Sequence, residues 1–171
     1  EIYRFDNGPI RKDGELLWDT QHIFLEILNG LKACQAANKV PVSMGIDTWG
    51  VDYVLTDAAG RKIGKSYCYR DARTACIDQE VYRQISEEDL YLRTGIQKQI
   101  FNTIYQLAAL QKQSPSDLER AEHFLMIPDY FHFLLTGEYS NEYTNASTTQ
   151  LVSPLTKNWD HDLIRKLGFP P

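Results

Sequence analysis

Between Gly45 and Asp52 the sequence reads GIDTWGVD, and within it Asp47, Thr48, Trp49 and Gly50 set a carboxylate, a hydroxyl, a flat indole and a residue without Cβ side by side. Such a set suits a polyhydroxylated ligand. Sugar hydroxyls need short hydrogen-bond partners, a sugar's C–H face packs on an aromatic ring, and a glycine lets main chain approach closely. Spacing alone leaves a plainer reading open, with a core Trp, a capping Asp and a turn Gly. Asp47 and Asp52 also raise a two-carboxylate glycosidase as an alternative. On an unbroken strand their odd separation would point them to opposite faces, which a turn at Gly50 could undo.

Other candidates lie further along. Tyr69-Arg70-Asp71-Ala72-Arg73 places two cations around a carboxylate. It reads either as an ion pair tying loop to helix or as a substrate border at Arg70 or Asp71, since Arg offers a fixed fork of donors. Phe101 sits on a loop before a helix, as a core residue or as the wall of a sugar pocket. Asn145, Ser147, Thr148 and Thr149 can bind hydroxyls or bond to their own backbone. Cys34, Cys68 and Cys76 form no C-x-x-C pair and read as free thiols, and the four histidines fit no zinc spacing. Neither G-x-x-x-x-G-K-[ST] nor G-x-G-x-x-G occurs, so no known glycine-rich device cradles a nucleotide.

The elements that must position these residues follow from periodicity and punctuation. Ile2–Phe5 reads as a strand, with Leu16–Trp18 as its hairpin partner across a long loop. Asp19 or Thr20 caps a helix whose apolar positions, Ile23, Ile27, Leu28, Leu31 and Cys34, repeat at helical spacing to about Ala37. Val42–Ile46 is an apolar run predicted to be a buried strand, Val51–Leu55 a second strand, and Asp57–Gly60 a turn. Lys62–Tyr69 is expected to be extended and Ala72–Ile85 helical. Ser86 opens a helix that stops at Thr94-Gly95, and Asn102 or Thr103 opens another. Ser114–Asp117 is a loop opening a short helix. Pro128 and Gly137 bracket a helix over Asp129–Thr136, Asn141–Gln150 is an ordered loop, and Asp160–Leu167 is a last helix. The order implies an α/β or α+β chain with a mixed sheet flanked by helices.

Composition narrows the function classes. The chain has 171 residues, 43% hydrophobic and 24% charged, which is enough for one domain with a real core. A net charge of −5 argues against a nucleic-acid partner, and no apolar run approaches the roughly 18 residues of a membrane span. The N-terminus lacks a signal-peptide pattern, so a cytoplasmic location is expected. The ends, without an initial Met and closing on Pro170-Pro171, suggest a slice of something larger.

Read together, GIDTWGVDYVLTDAAG, YRDARTACI, TGIQKQIFNTIYQL, MIPDYFHFLLTGEY and EYTNASTTQLV resemble the FGGY carbohydrate-kinase family from about Phe5 to Trp159. The D-T-W-G-V-D form differs from what the glycerol and xylulose kinases show there. It points to the branch acting on L-rhamnulose, with L-fuculose or another ketose as the alternative and a non-catalytic sugar-binding module as the competitor. The resemblance implies a ribonuclease H-like (actin-like ATPase) fold in which residues 1–171 are part of the N-terminal, substrate-binding domain. It also implies that the opening hairpin with its phosphate loop precedes Glu1, and that the general base and the ATP-binding domain follow Pro171. ATP and Mg²⁺ are implied for the intact enzyme and none for this chain alone. Gly50 matches the position that meets the ketose through its backbone, with Thr48, Trp49 and Val51 flanking it. Phe101 matches a substrate-facing aromatic. Asp71, Arg73 and Asp129 match signature positions of mainly structural role. The implied reaction moves the γ-phosphoryl group of ATP to the 1-hydroxyl of the ketose. It implies no nucleic-acid or membrane partner and leaves the oligomeric state open.

Overall fold

A computed structural model describes residues 1–171. Its centre is a three-stranded antiparallel sheet in the order β4-β3-β5, formed by β3 (Tyr53–Thr56), β4 (Lys62–Ile63) and β5 (His123–Met126). Tyr53 pairs with Met126 and Leu55 with Ile63. Every residue of β3 is buried, so both faces of the sheet are covered. Side chains alternate across a strand, and here the two sets build two cores. Tyr53, Leu55 and Ile63 join one cluster with Leu90, Ile104, Leu107 and Leu163, while Val54 and Leu125 join another with Trp18, Ile23, Tyr130 and Phe131.

The first cluster is supplied by α3 (Glu87–Thr94), α4 (Thr103–Gln113) and α8 (His161–Lys166), the second by α1 (Thr20–Ala36) and α6 (Ile127–Thr136). Helices α1, α3 and α8 begin at a side-chain cap, whereas Asn102 precedes α4 without making one. Asp19, Ser86 and Asp160 accept the main-chain N–H of His22, Asp89 and Leu163, each satisfying a donor that the first helical turn leaves free. Gly95 and Gly137 close α3 and α6 at φ values of 70° and 79°, in the left-handed region that a Cβ disfavours.

Several expected elements differ. Ile2–Phe5 forms no strand: Tyr3 packs on Gly30 and donates to Glu26 of α1, and Phe5 meets the His22 ring edge-on. The hairpin is instead β1 (Ile10–Lys12) with β2 (Glu15–Leu17), turned tightly at Asp13-Gly14. Val42–Ile46 is not a buried strand. Val42 is fully exposed and no strand of the fold pairs with the segment. Ala72–Ile85 breaks into a 3₁₀ turn (Ala72–Thr74) and α2 (Asp78–Tyr82) at Cys76, whose φ of 62° no helix contains. The expected loop after Asn141 holds α7 (Tyr143–Ser147), capped by Glu142, which accepts from Thr144 N and Asn145 N. Three short elements went without a sequence signal: β5 and the hairpin of β6 (Val152–Ser153) with β7 (Asn158–Trp159). The short helix α5 (Pro115–Glu119) lies where Ser114-Pro115 places it. The mixed sheet expected from the sequence is realised here by antiparallel pairings alone.

Candidate functional site

The chain enters β3 through a sharp bend. Asp52 N donates to Gly50 O at 2.9 Å, and Val51 between them has φ 65°. A hydrogen bond spanning two residues around a positive-φ centre is a γ-turn of the strained kind. For a β-branched residue this backbone costs on the order of 1–3 kcal/mol and persists only where its surroundings enforce it. They do so here. Val51 N donates to Thr148 Oγ1 at 3.0 Å, and Val51 O accepts from Thr103 Oγ1 at 2.6 Å and Gln106 Nε2 at 3.2 Å. The bend therefore joins α4 to the loop after α7.

Asp52 lies beneath the bend with no exposed surface. Its Oδ2 accepts from Trp18 Nε1 at 2.6 Å, Trp49 Nε1 at 3.0 Å and Tyr69 N at 3.1 Å, and its Oδ1 accepts from Gln106 Nε2 at 2.8 Å. Burial pushes this carboxyl above its ordinary range, and the hydrogen bonds from Gln106, Trp18, Tyr69 and Trp49 pull the other way. The two indoles it holds lie 4.1 Å apart between centroids, tilted by 34°. Such a group is closed to substrate and water. The Asp47/Asp52 glycosidase alternative therefore fails, since both carboxyls would have to reach the scissile bond.

A half-open cleft of about 530 Å³ opens over the bend, within the ~300–1,000 Å³ typical of small-molecule sites. Asp47, Thr48, Trp49 and Gly50 form one side, Pro128, Asp129 and His132 of α6 a second, and Glu142, Asn145 and Thr148 a third. Trp49 brings a large aromatic side chain to this mostly polar lining. Asp129 is nearly buried and accepts from Glu142 N at 3.2 Å; burial raises its carboxyl above the usual range, and the Glu142 charge adds to the shift. Bonds from Thr144 and Asn145 hold Glu142 below its own.

The sequence-predicted residues separate into groups. Thr48, Trp49 and Gly50 line the cleft together, and Val51 lies buried under it, acting through its backbone. Phe101 does not line this cleft: its ring meets Tyr69 at 5.6 Å, beside the exposed Arg70. Asp71 and Arg73 serve the scaffold. Asp71 accepts from Leu16 N at 2.7 Å and Arg73 N at 2.8 Å, and the Arg73 guanidinium stacks 3.9 Å over Tyr67. Thr148 reaches the cleft, Asn145 borders it, and Ser147 and Thr149 bond back to Thr144 O and Ala146 O. Sequence reasoning passed over Gln106, His132 and Glu142. A Gln inside the apolar run TIYQLAAL was the available signal for the first; nothing marked the other two.

No group of three or more His, Cys, Asp or Glu lies close enough together to hold a metal ion.

The family model for the N-terminal domain of FGGY carbohydrate kinases matches residues 6–171. The chain belongs to the FGGY family. Among curated relatives, this FGGY chain is similar to "Rhamnulokinase" of Halalkalibacterium halodurans, 57% identical over 171 residues, covering 100% of the chain and 37% of that protein. It is likewise 53% identical over 169 residues to "Rhamnulokinase" of Oceanobacillus iheyensis, covering 99% of the chain and 36% of that protein. The chain thus spans about a third of the length of these relatives. A solved xylulose kinase from Rhodospirillum rubrum superposes with a TM-score of 0.82 at 17% identity, over 95% of this chain and 35% of that one. A glycerol kinase from Plasmodium falciparum gives 0.76 at 17%, over 96% and 35%. These likenesses show the fold, the actin-like architecture of FGGY sugar kinases.

Proposed function

We propose that this FGGY chain is the sugar-binding part of a kinase that transfers the γ-phosphoryl group of ATP to the 1-hydroxyl of L-rhamnulose. The observation that carries the reading is the cleft floored by the Gly50 bend and walled by Trp49, in a chain more than half identical to relatives named Rhamnulokinase. Main chain at Gly50 meets the ketose, the Trp49 face takes its C–H surface, and Thr48, Val51 and Thr148 hold the bend in place. Phe101, with Tyr69, forms a separate aromatic wall beyond the bend. Mg²⁺, when bound with ATP, neutralises phosphate charge. The residues here contribute substrate positioning, which together with electrostatic stabilisation is what a protein supplies to phosphoryl transfer. The reaction belongs in the cytoplasm, where ATP is supplied, and no helix is long and apolar enough to cross a membrane.

The test is an ADP-release assay of the gene product that carries this chain, across a panel of ketoses. The reading expects the highest kcat/KM with L-rhamnulose, and a higher value with L-fuculose would replace the sugar while keeping the kinase. Absence of ADP release with every ketose, beside saturable sugar binding, would favour a binding module. Assayed alone, the 171-residue chain is expected to form no sugar phosphate, and measurable product would overturn that.

A further inference from the structure

We propose that Asp52 and Gln106 form a positioning pair that sets the orientation of Trp49 and the shape of the Gly50 bend for sugar binding, an inference that rests on the sugar-site reading above. Neither residue touches the cleft, since both are buried. Their polar atoms nevertheless reach the Trp49 indole and the bend from behind. Asp52 Oδ2 holds the indole N–H of Trp49 at 3.0 Å, and the two N–H groups of Gln106 Nε2 are shared among Asp52 Oδ1 at 2.8 Å, Phe101 O at 3.0 Å and Val51 O at 3.2 Å. One amide group thereby ties the γ-turn, the carboxylate under the indoles and the Phe101 loop to helix α4.

The orientation of that amide is fixed from behind. Gln106 Oε1 accepts from Arg73 Nη2 at 3.1 Å, and Gln106 O accepts from Arg73 Nη1 at 3.1 Å. Turning the amide over would set its NH₂ against a guanidinium, which has donors only. The same turn would bring Oε1 against a carboxylate and two carbonyls. Arg73 thus holds the donor end of Gln106 toward Asp52, and Asp52 can meet four donors only as an acceptor. A buried acceptor in such a network is costly to lose, because every donor it served is left unpaired.

Asp52→Asn tests this at constant shape. Its amide oxygen can replace Oδ2, but its NH₂ then faces the NH₂ of Gln106. In the full-length gene product, KM for the ketose should rise on the order of tenfold or more, the ratio expected when a charged hydrogen-bond partner is removed. The kcat and the KM for ATP should stay within about threefold, since both residues are buried behind the cleft and act on the sugar through Trp49 and the bend. The coupled near-ultraviolet circular dichroism of the Trp18–Trp49 pair should fall at the same time, a readout that needs no sugar. Unchanged KM and dichroism in Asp52→Asn would overturn the proposal. Should Asp52→Asn lose its helical circular dichroism, Gln106→Met, which keeps volume and drops the donors, takes its place with the same expected and contrary results. If the unaltered protein phosphorylates no ketose, the functional reading fails, while the dichroism still decides on the pair.

Discussion

Gly50→Ala probes the closest approach in the site. A Cβ at position 50 would stand 3.1 Å from both Thr148 Cγ2 and Thr148 Oγ1 and 3.3 Å from Thr148 Cβ. Thr148 is poorly placed to yield, because its hydroxyl accepts from Val51 N at 3.0 Å and donates to Asn145 O at 2.7 Å. Crowding of this kind costs about 1–3 kcal/mol. Against it, replacing glycine restricts the unfolded chain and returns about 0.4–1 kcal/mol, an advantage open to position 50 because its φ is not in the left-handed region. The crowding wins, and the net loss is about 1 kcal/mol, a fall in melting midpoint of roughly 2–4 °C for a domain of this size. The movement of Thr148 also loosens the γ-turn, so the ketose KM should rise with kcat little changed. Thermal melts and ADP-release kinetics of the variant read both effects. Adding Thr148→Ser removes the Cγ2 contact, keeps the hydroxyl, and should return part of the stability. A Gly50→Ala protein that melts at or above the original midpoint with unchanged ketose KM would refute the reasoning.

Thr103→Val deletes the hydroxyl that donates to Val51 O, and it should cost about 0.5–1.5 kcal/mol in denaturant titration and raise the ketose KM. Ile104→Ala, at a fully buried position in the larger core, should cost about 2–5 kcal/mol by the same titration. Arg93 holds the Asp160 carboxyl below its ordinary range. The stability from this lowered pKa is therefore present above the unfolded value of about 3.9 and is lost as pH falls through the folded value. Asp160→Asn should flatten that acid limb of the melting-midpoint profile, and an unchanged limb would count against the pair. Gly137→Ala, at φ 79°, should lower stability by about 1 kcal/mol in the same melts.

The sequence made the helix ends legible because capping is local chemistry. Asp19, Ser86, Asp160, Gly95 and Gly137 each do what their type and position imply. Strands were less legible, because a strand exists only with a partner. Val42–Ile46 is apolar enough to read as a strand, yet no strand of the fold pairs with it, while β5 has no pattern to distinguish it from the residues around it. Cys76 broke an otherwise helical stretch through a backbone torsion that its side chain does not announce. In the site, the Asp47–Gly50 set was visible from residue types, and the structure gathers Thr48, Trp49 and Gly50 on one cleft. The role of Asp52 was not visible. Its donors come from Trp18, Trp49, Tyr69 and Gln106, which only the fold brings within reach. His132 and Glu142 likewise meet Trp49 across the cleft from distant parts of the chain.

The most direct measurement is a crystal structure of the gene product carrying this chain, soaked with the ketose it phosphorylates. A sugar oxygen should lie about 2.7–3.2 Å from a main-chain atom of Gly50, with the C–H face of the sugar on the Trp49 ring. A sugar lodged elsewhere, for instance in the apolar groove beside Phe124 and Trp159, would contradict the account.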